Sequence, residues 1–342
     1  MSALDGDPRS LLGQGWDDPA LQKALKAWPD REWIDQESID KAVENGRLSL
    51  FNLDLGAYLS FTDKSSFMSR FGLPKSSGAI TVCRVVLFGQ YRQDVSRYEG
   101  PVLAGLDTQS PFQRWVDTLG RPEWVHIVNC VVRKARWHFD SNVADVSFTP
   151  GGVCRLISIA PAFTQEAIAT QAATRQLQAQ ILSPDGVIAS LGLPLTDSRL
   201  LTSLQSIRYE SKLDEASSYG EIDFSDDHGF QLYAAPRAVL SMNASDDVSP
   251  SALCLSGARY RRDLDFKSVQ WQGPLPFGIT FDDGPDTVLA KVGQSVDTED
   301  FDEMEGFHRW RFESFDLHVL YSLAEDCVYR VTLLGRRQEE LL

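Results

Sequence analysis

Clustered metal-binding side chains, long apolar runs and excess positive charge are all missing from this sequence, and each absence closes off a class of function. The 342 residues include five cysteines and five histidines. Cys83, Cys130, Cys154, Cys254 and Cys327 are odd in number and never close together. Zinc sites need spacings such as C-x₂-C and disulfide frameworks need density, so reduced, buried thiols are expected. His126, His138, His228, His308 and His318 show neither H-x₃-H nor HExxH spacing. There is no G-x-S-x-G elbow and no Gly-rich phosphate loop. No catalytic residue, metal or cofactor is therefore assigned from sequence. No run of about 18 apolar residues could span a bilayer, so no membrane association is expected. The opening MSALDGDPRS has neither a basic leader nor an apolar segment, which makes the cytoplasm the expected compartment.

Lysine and arginine number 33 against 48 aspartates and glutamates, a net charge of −15. Phosphate backbones demand a basic surface, so nucleic acid is excluded as a direct partner. The imbalance is uneven: residues 1–171 hold 18 basic and 20 acidic groups, residues 172–342 hold 15 and 28. The second half is the one suited to face something basic.

What the sequence does contain is itself, twice. At a constant offset of 173 positions, Gly100-Pro101 falls on Gly273-Pro274, Gly120 on Gly293, and Arg136-Trp137 on Arg309-Trp310. Phe139 falls on Phe312, Val146 on Val319, Phe148 on Tyr321 and Cys154 on Cys327. Upstream, the likeness is traced with small insertions. Leu87–Asp94 is matched to Leu255–Asp263, Gly56–Asp63 to Gly220–Asp226, and Leu12–Leu25 to Leu191–Leu204. A tandem duplication of nearly the whole chain follows. It predicts a first domain over 1–162, a linker helix and turn over 163–190, and a second domain over 191–342.

Each copy reads as an opening helix capped by Asp18 or Asp197, then strands such as Tyr58–Phe61 and Ile80–Phe88. A Gly-Pro turn and a short helix follow, with apolar faces Phe112, Val116 and Leu119, or Val288, Leu289 and Val292. Gly120 and Gly293 are expected as left-handed caps. After a variable loop come three strands. The expected class is α+β: two tandem copies of an antiparallel sheet with helices packed on one face. Trp137 and Trp310 are expected in the core.

A short helix ending in Leu119-Gly120-Arg121-Pro122, then Trp-x-Phe, an alternating strand and a last strand, resembles two groups. One is the repeat of β-lactamase inhibitor proteins and SmpA/OmlA lipoproteins. The closer is the bacterial immunity proteins of pyocin-like and type VI or Rhs-type toxins, which carry stretches similar to Leu11–Pro19 and Gly273–Gly278. The second resemblance implies a non-enzymatic inhibitor that neutralises a cognate toxin domain in the cytoplasm.

Two stretches compete for the functional site. Thr280-Phe-Asp-Asp-Gly-Pro-Asp286 is similar to the first motif of polysaccharide deacetylases and offers Asp282, Asp283 and Asp286 to a metal-dependent hydrolase. The histidines such enzymes need do not follow it, and a capped helix start explains the same residues. The other stretch carries Asp297, Glu299, Asp300, Asp302, Glu303 and Glu305, interleaved with Phe301, Met304 and Phe307. Its counterpart in copy one, Trp124 to Val132, has no aspartate, glutamate, lysine or arginine and so carries no charge. Aromatic anchors surrounded by charge are the composition of a protein interface. These nine residues, extended by Asp226 and Asp227 and by Asp246-Asp247, are assigned to a partner surface that meets a basic face on the toxin. A non-enzymatic scaffold or adaptor is the remaining alternative.

Overall fold

The structure is a computed structural model. It describes residues 7–26, 28, 34–46, 48–89, 95–128, 130–178, 181, 183–207, 209–241, 248–262, 270–302, 305–323 and 326–337. The chain divides into two compact units, Met1–Ala169 and Thr170–Leu342. Unit 1 has helices α1 (Pro19–Leu25), α2 (Gln36–Asn45), α3 (Lys64–Phe71) and α4 (Phe112–Leu119). Its strands are β1 (Leu48–Asn52), β2 (Ala57–Asp63), β3 (Ile80–Phe88), β4 (Trp124–Val128), β5 (Val131–Phe139), β6 (Asn142–Phe148) and β7 (Cys154–Pro161). Helix α5 (Gln165–Gln178) spans the division. Unit 2 has helices α6 (Pro184–Ser190), α7 (Ser198–Ser203), α8 (Leu213–Tyr219), α9 (Ser225–His228) and α10 (Pro285–Val292). Its strands are β8 (Glu221–Phe224), β9 (Phe230–Pro236), β10 (Leu253–Arg261), β11 (Thr298–Phe301), β12 (Glu305–Arg311), β13 (Phe315–Ser322) and β14 (Cys327–Gly335).

Both units build one open, antiparallel, seven-stranded sheet, and the strand order is the same. It runs β1-β2-β3-β7-β6-β5-β4 in unit 1 and β8-β9-β10-β14-β13-β12-β11 in unit 2. The backbone bonds repeat as well. Gly13 N donates to Val82 O and Gly192 N to Leu255 O, while Gly15 bridges Thr81 and Pro194 bridges Cys254. The match of Leu12–Leu25 to Leu191–Leu204 therefore describes the same clamp of an opening segment onto the third strand.

Two upstream matches are corrected by the sheet. Leu59 pairs with Val85 in unit 1, and Leu232 with Ala258 in unit 2. The offset of 173 thus runs on unchanged through β2 and β3. Tyr98 N donates to Phe88 O and Trp271 N to Arg261 O, again 173 apart. Gly220–Asp226 is consequently not the counterpart of Gly56–Asp63, since Glu221–Phe224 is the edge strand β8. Short local likeness had mimicked the true register. Gly100 and Gly273 are explained at the same time: a Cβ at either would strike the aromatic side chain two residues before it, the Tyr98 hydroxyl at 2.3 Å or the Trp271 ring at 2.4 Å.

In unit 1 the core lies between one sheet face and α1, α2 and α4. Leu21, Leu25, Ile39, Ala42 and Trp115 pack there against Leu59, Val85, Trp137, Val146 and Ile157. Trp115, not named in the expected apolar face of α4, is the helix's fully buried residue, with Phe112, Val116 and Leu119 partly buried around it. Asp18 and Asp197 do cap α1 and α7, accepting from the second and third residues after Asp18 and from Arg199 N after Asp197. Trp137 and Trp310 are buried, their Nε1–H groups donating to Gly120 O (3.0 Å) and Gln294 O (3.1 Å). Gly293 is left-handed (φ 66°, ψ 10°), whereas Gly120 has φ 81° but an extended ψ of −167°. Within the stretch expected as a linker helix and turn, Ser183 caps α6 by accepting from Gly186 N. Among the described residues no helix is long and apolar enough to cross a membrane.

Candidate functional site at the edge of the second sheet

The acidic stretch, expected as a variable loop, is the first arm of a hairpin. β11 is the outermost strand of its sheet and all four of its residues are exposed. It is antiparallel to β12, with Thr298 opposite Arg309, Glu299 opposite His308, Asp300 opposite Phe307 and Phe301 opposite Gly306. Side chains alternate across a strand, so the stretch is divided between two faces. Glu299 and Phe301 lie on the face of buried His308, and Asp300 and Phe307 on the other. Asp297 enters the strand, its N–H bonded to Arg309 O and its carboxylate 3.8 Å from Arg311. Asp302 closes the hairpin: its N–H donates to Glu305 O, and its Oδ1 accepts from Glu305 N at 2.7 Å. Glu303 and Met304 lie outside the described residues.

The structure does not bring the minor acidic patches to this edge. Asp226 and Asp227 are in α9, between β8 and β9 at the opposite end of the strand order. Six strand spacings of about 4.8 Å put them roughly 29 Å away. Charge alone carries no information about sheet order. Asp246 and Asp247 lie outside the described residues.

Sequence reasoning missed what stands behind β11. Glu299 Oε2 is 3.3 Å from His308 Nε2, and His308 Nδ1 is 3.0 Å from Tyr321 Oη. His308 and Tyr321 are buried, while the Glu299 side chain is 63% exposed. The neutral tautomer that satisfies both contacts carries its proton on Nε2, donates it to Glu299, and accepts from the Tyr321 hydroxyl. Burial holds the His308 pKa below the ordinary imidazole value, against the opposing charges of Glu299 and Asp286. Burial also raises the Tyr321 phenol. Phe301 covers the pair, its ring 4.9 Å edge-on from His308 and 6.1 Å stacked from Tyr321. It can do so because residue 306 is glycine: a Cβ there would meet the Phe301 ring at 2.0 Å. At the offset of 173 the equivalents of His308 and Tyr321 are Ala135 and Phe148, both fully buried. The signal was thus present in the aligned copies, as two polar replacements at core positions.

The aspartate motif has a different place. Asp283 is fully buried, and its Oδ2 accepts from Thr280 N (2.6 Å) and Lys291 Nζ (2.7 Å). Asp283 therefore braces the turn before α10 against the helix. The cap residue of α10 is Gly284, without a side-chain bond, and Pro285 takes the first helical position. Asp286 is exposed. Among the described residues no group of three or more His, Cys, Asp or Glu could hold a metal ion.

Comparison of the chain with family models, with curated proteins and with solved structures gives no match.

Proposed function

We propose that this protein is an immunity protein, which binds a cognate toxin domain in the cytoplasm and occludes its active site. The observation that carries this reading is the exposed acidic hairpin of unit 2. Asp297, Glu299, Asp300, Asp302 and Glu305 line, together with Phe301, a sheet edge whose counterpart in unit 1, Trp124–Val128, is uncharged. An edge strand also presents unpaired backbone groups, so a partner meets hydrogen-bonding and electrostatic recognition along one line. Excess negative charge steers a basic domain to that line and accelerates encounter. The toxin is thereby required to be basic at its contact face. Direct occlusion needs no catalytic group on the inhibitor.

The test is co-expression with the neighbouring gene product, followed by stopped-flow association of the purified pair. A one-to-one complex is expected. Joint neutralisation of Asp297, Glu299, Asp300, Asp302, Glu303 and Glu305 to amides is expected to slow association about tenfold and flatten its salt dependence. An unchanged association rate would place the interface elsewhere.

A further inference from the structure

Both units contain a turn in which two successive residues are left-handed: Ala104 and Gly105 (φ 47° and 79°), and Phe277 and Gly278 (φ 57° and 67°). The repeat fixes this backbone. Glycine takes it freely, and any side chain with a Cβ is strained there. Unit 1 uses the smallest such side chain. Unit 2 places a phenylalanine at the strained position and leaves it 40% exposed.

That ring is held rigidly. It stacks on Phe312 (5.1 Å, 19°), which stacks on the buried Phe315 (4.7 Å, 14°), so the ladder runs from the core to solvent. Lys291 Nζ donates to Gly278 O at 2.7 Å and fixes the next residue. The ladder continues directly from the strand that pairs with the acidic hairpin: Phe312 follows Arg311, the last residue of β12, whose guanidinium is 3.8 Å from Asp297, and precedes exposed Glu313. A rigid, partly exposed aromatic loses little conformational freedom on binding, which is the property of interface hot spots. Strain retained where a glycine would relieve it points to a use for the side chain.

We propose that Phe277 is the apolar anchor of the docking surface whose charged flank is the β11 hairpin. The partner that fits is a protein face with an apolar pocket for one aromatic ring, rimmed by lysine or arginine. This rests on the immunity reading for the partner's identity, and it adds a residue outside the acidic stretch. The stack on Phe312 remains available to the ring as one side of that pocket.

The experiment uses the full chain in two arms. In the source cells, Phe277→p-benzoylphenylalanine is photo-cross-linked, and the protein captured is purified for binding measurements. Affinity, association rate and melting temperature are then compared for the wild type and Phe277→Gly. Expected are a loss of affinity of at least about 20-fold, carried by faster dissociation, and an association rate changed by less than about twofold. The melting temperature is expected to hold within about 2 °C, because relief of backbone strain offsets the lost stack. No cross-link at 277, an unchanged affinity, or a melting temperature lowered by more than about 5 °C overturns the proposal, the last by making the ring structural. A toxin that binds but tolerates Phe277→Gly defeats this inference alone. A captured non-toxin partner that loses affinity defeats the immunity reading and leaves the anchor standing.

Discussion

His308 and Tyr321 occupy positions that unit 1 fills with Ala135 and Phe148, so one fold has solved the same core twice with different chemistry. A buried polar pair is tolerated only when both members are satisfied, and removal of one leaves the other with a full desolvation cost. His308→Ala therefore combines a cavity with a hydroxyl that has lost its imidazole partner, and is expected to cost about 2–4 kcal/mol. Adding Tyr321→Phe rebuilds the unit 1 pair and removes the stranded hydroxyl. The double variant is expected to recover about 1 kcal/mol relative to His308→Ala. Urea denaturation of both singles and the double closes the cycle, and a double variant less stable than His308→Ala would show that the two side chains do not act as a pair.

At the scale of the element, β11 is held to its sheet by one neighbour, and Phe301 over Gly306 is the contact that ties its inner face to the core. Gly306→Val adds β-propensity but drives a branched side chain into the Phe301 ring. Hydrogen exchange at residues 298–302 is expected to accelerate at least about tenfold, with exchange in β13 and β14 unchanged. Protection retained in β11 would mean that the ring is not what secures it. The hairpin also shows where the sequence was legible. The three long strands of each unit, the caps at Asp18 and Asp197 and the duplication itself were readable, because apolar alternation, capping chemistry and a constant offset leave direct traces. β4 and β11 were not. Trp124–Val128 and Thr298–Phe301 share a place in the fold but no hydrophobic pattern, since an edge strand buries too little surface to enforce one. Placement of Asp226 and Asp227 failed for another reason: strand order is a long-range property that a charge count does not contain. The His308–Tyr321 hydrogen bond and the Phe277 turn depend on register and φ, which single positions in a sequence do not reveal.

On the scale of the whole molecule, three histidines of residues 170–342, His228, His308 and His318, are held below the ordinary imidazole value. Burial, reinforced by Arg259, Arg309 and Arg330, pushes the His318 pKa down to about 4. Burial lowers His308 and His228 as well. A histidine depressed in the folded state binds its proton more readily when unfolded. The stability it contributes is complete above the unfolded value near 6.5 and is lost as pH falls through the folded value. The window is therefore pH 6.5 to about 4. Carboxylates such as Asp197, held at about 2 by Arg199, keep their contribution until lower pH. Urea unfolding at pH 7.5, 5.5 and 4 is expected to show a loss of about 2 kcal/mol for His318, after allowance for partial solvent screening. His318→Gln is expected to remove most of that slope. A pH-independent midpoint across the window would contradict the assignment.

The strand order has a consequence for synthesis. In both units the third strand finds its inner neighbour only in the seventh, with Val85 opposite Ile159 and Gly257 opposite Leu334, about 75 residues later in the chain. The meander of the last four strands can form from local contacts, whereas this closure is a high-contact-order event. A nascent chain on the ribosome thus passes twice through a stage in which β3, or later β10, stands translated and unpaired on one side. Premature termination before Ile159 or before Leu334 leaves that inner strand as a permanent apolar edge, the kind of surface through which unfinished chains associate with one another.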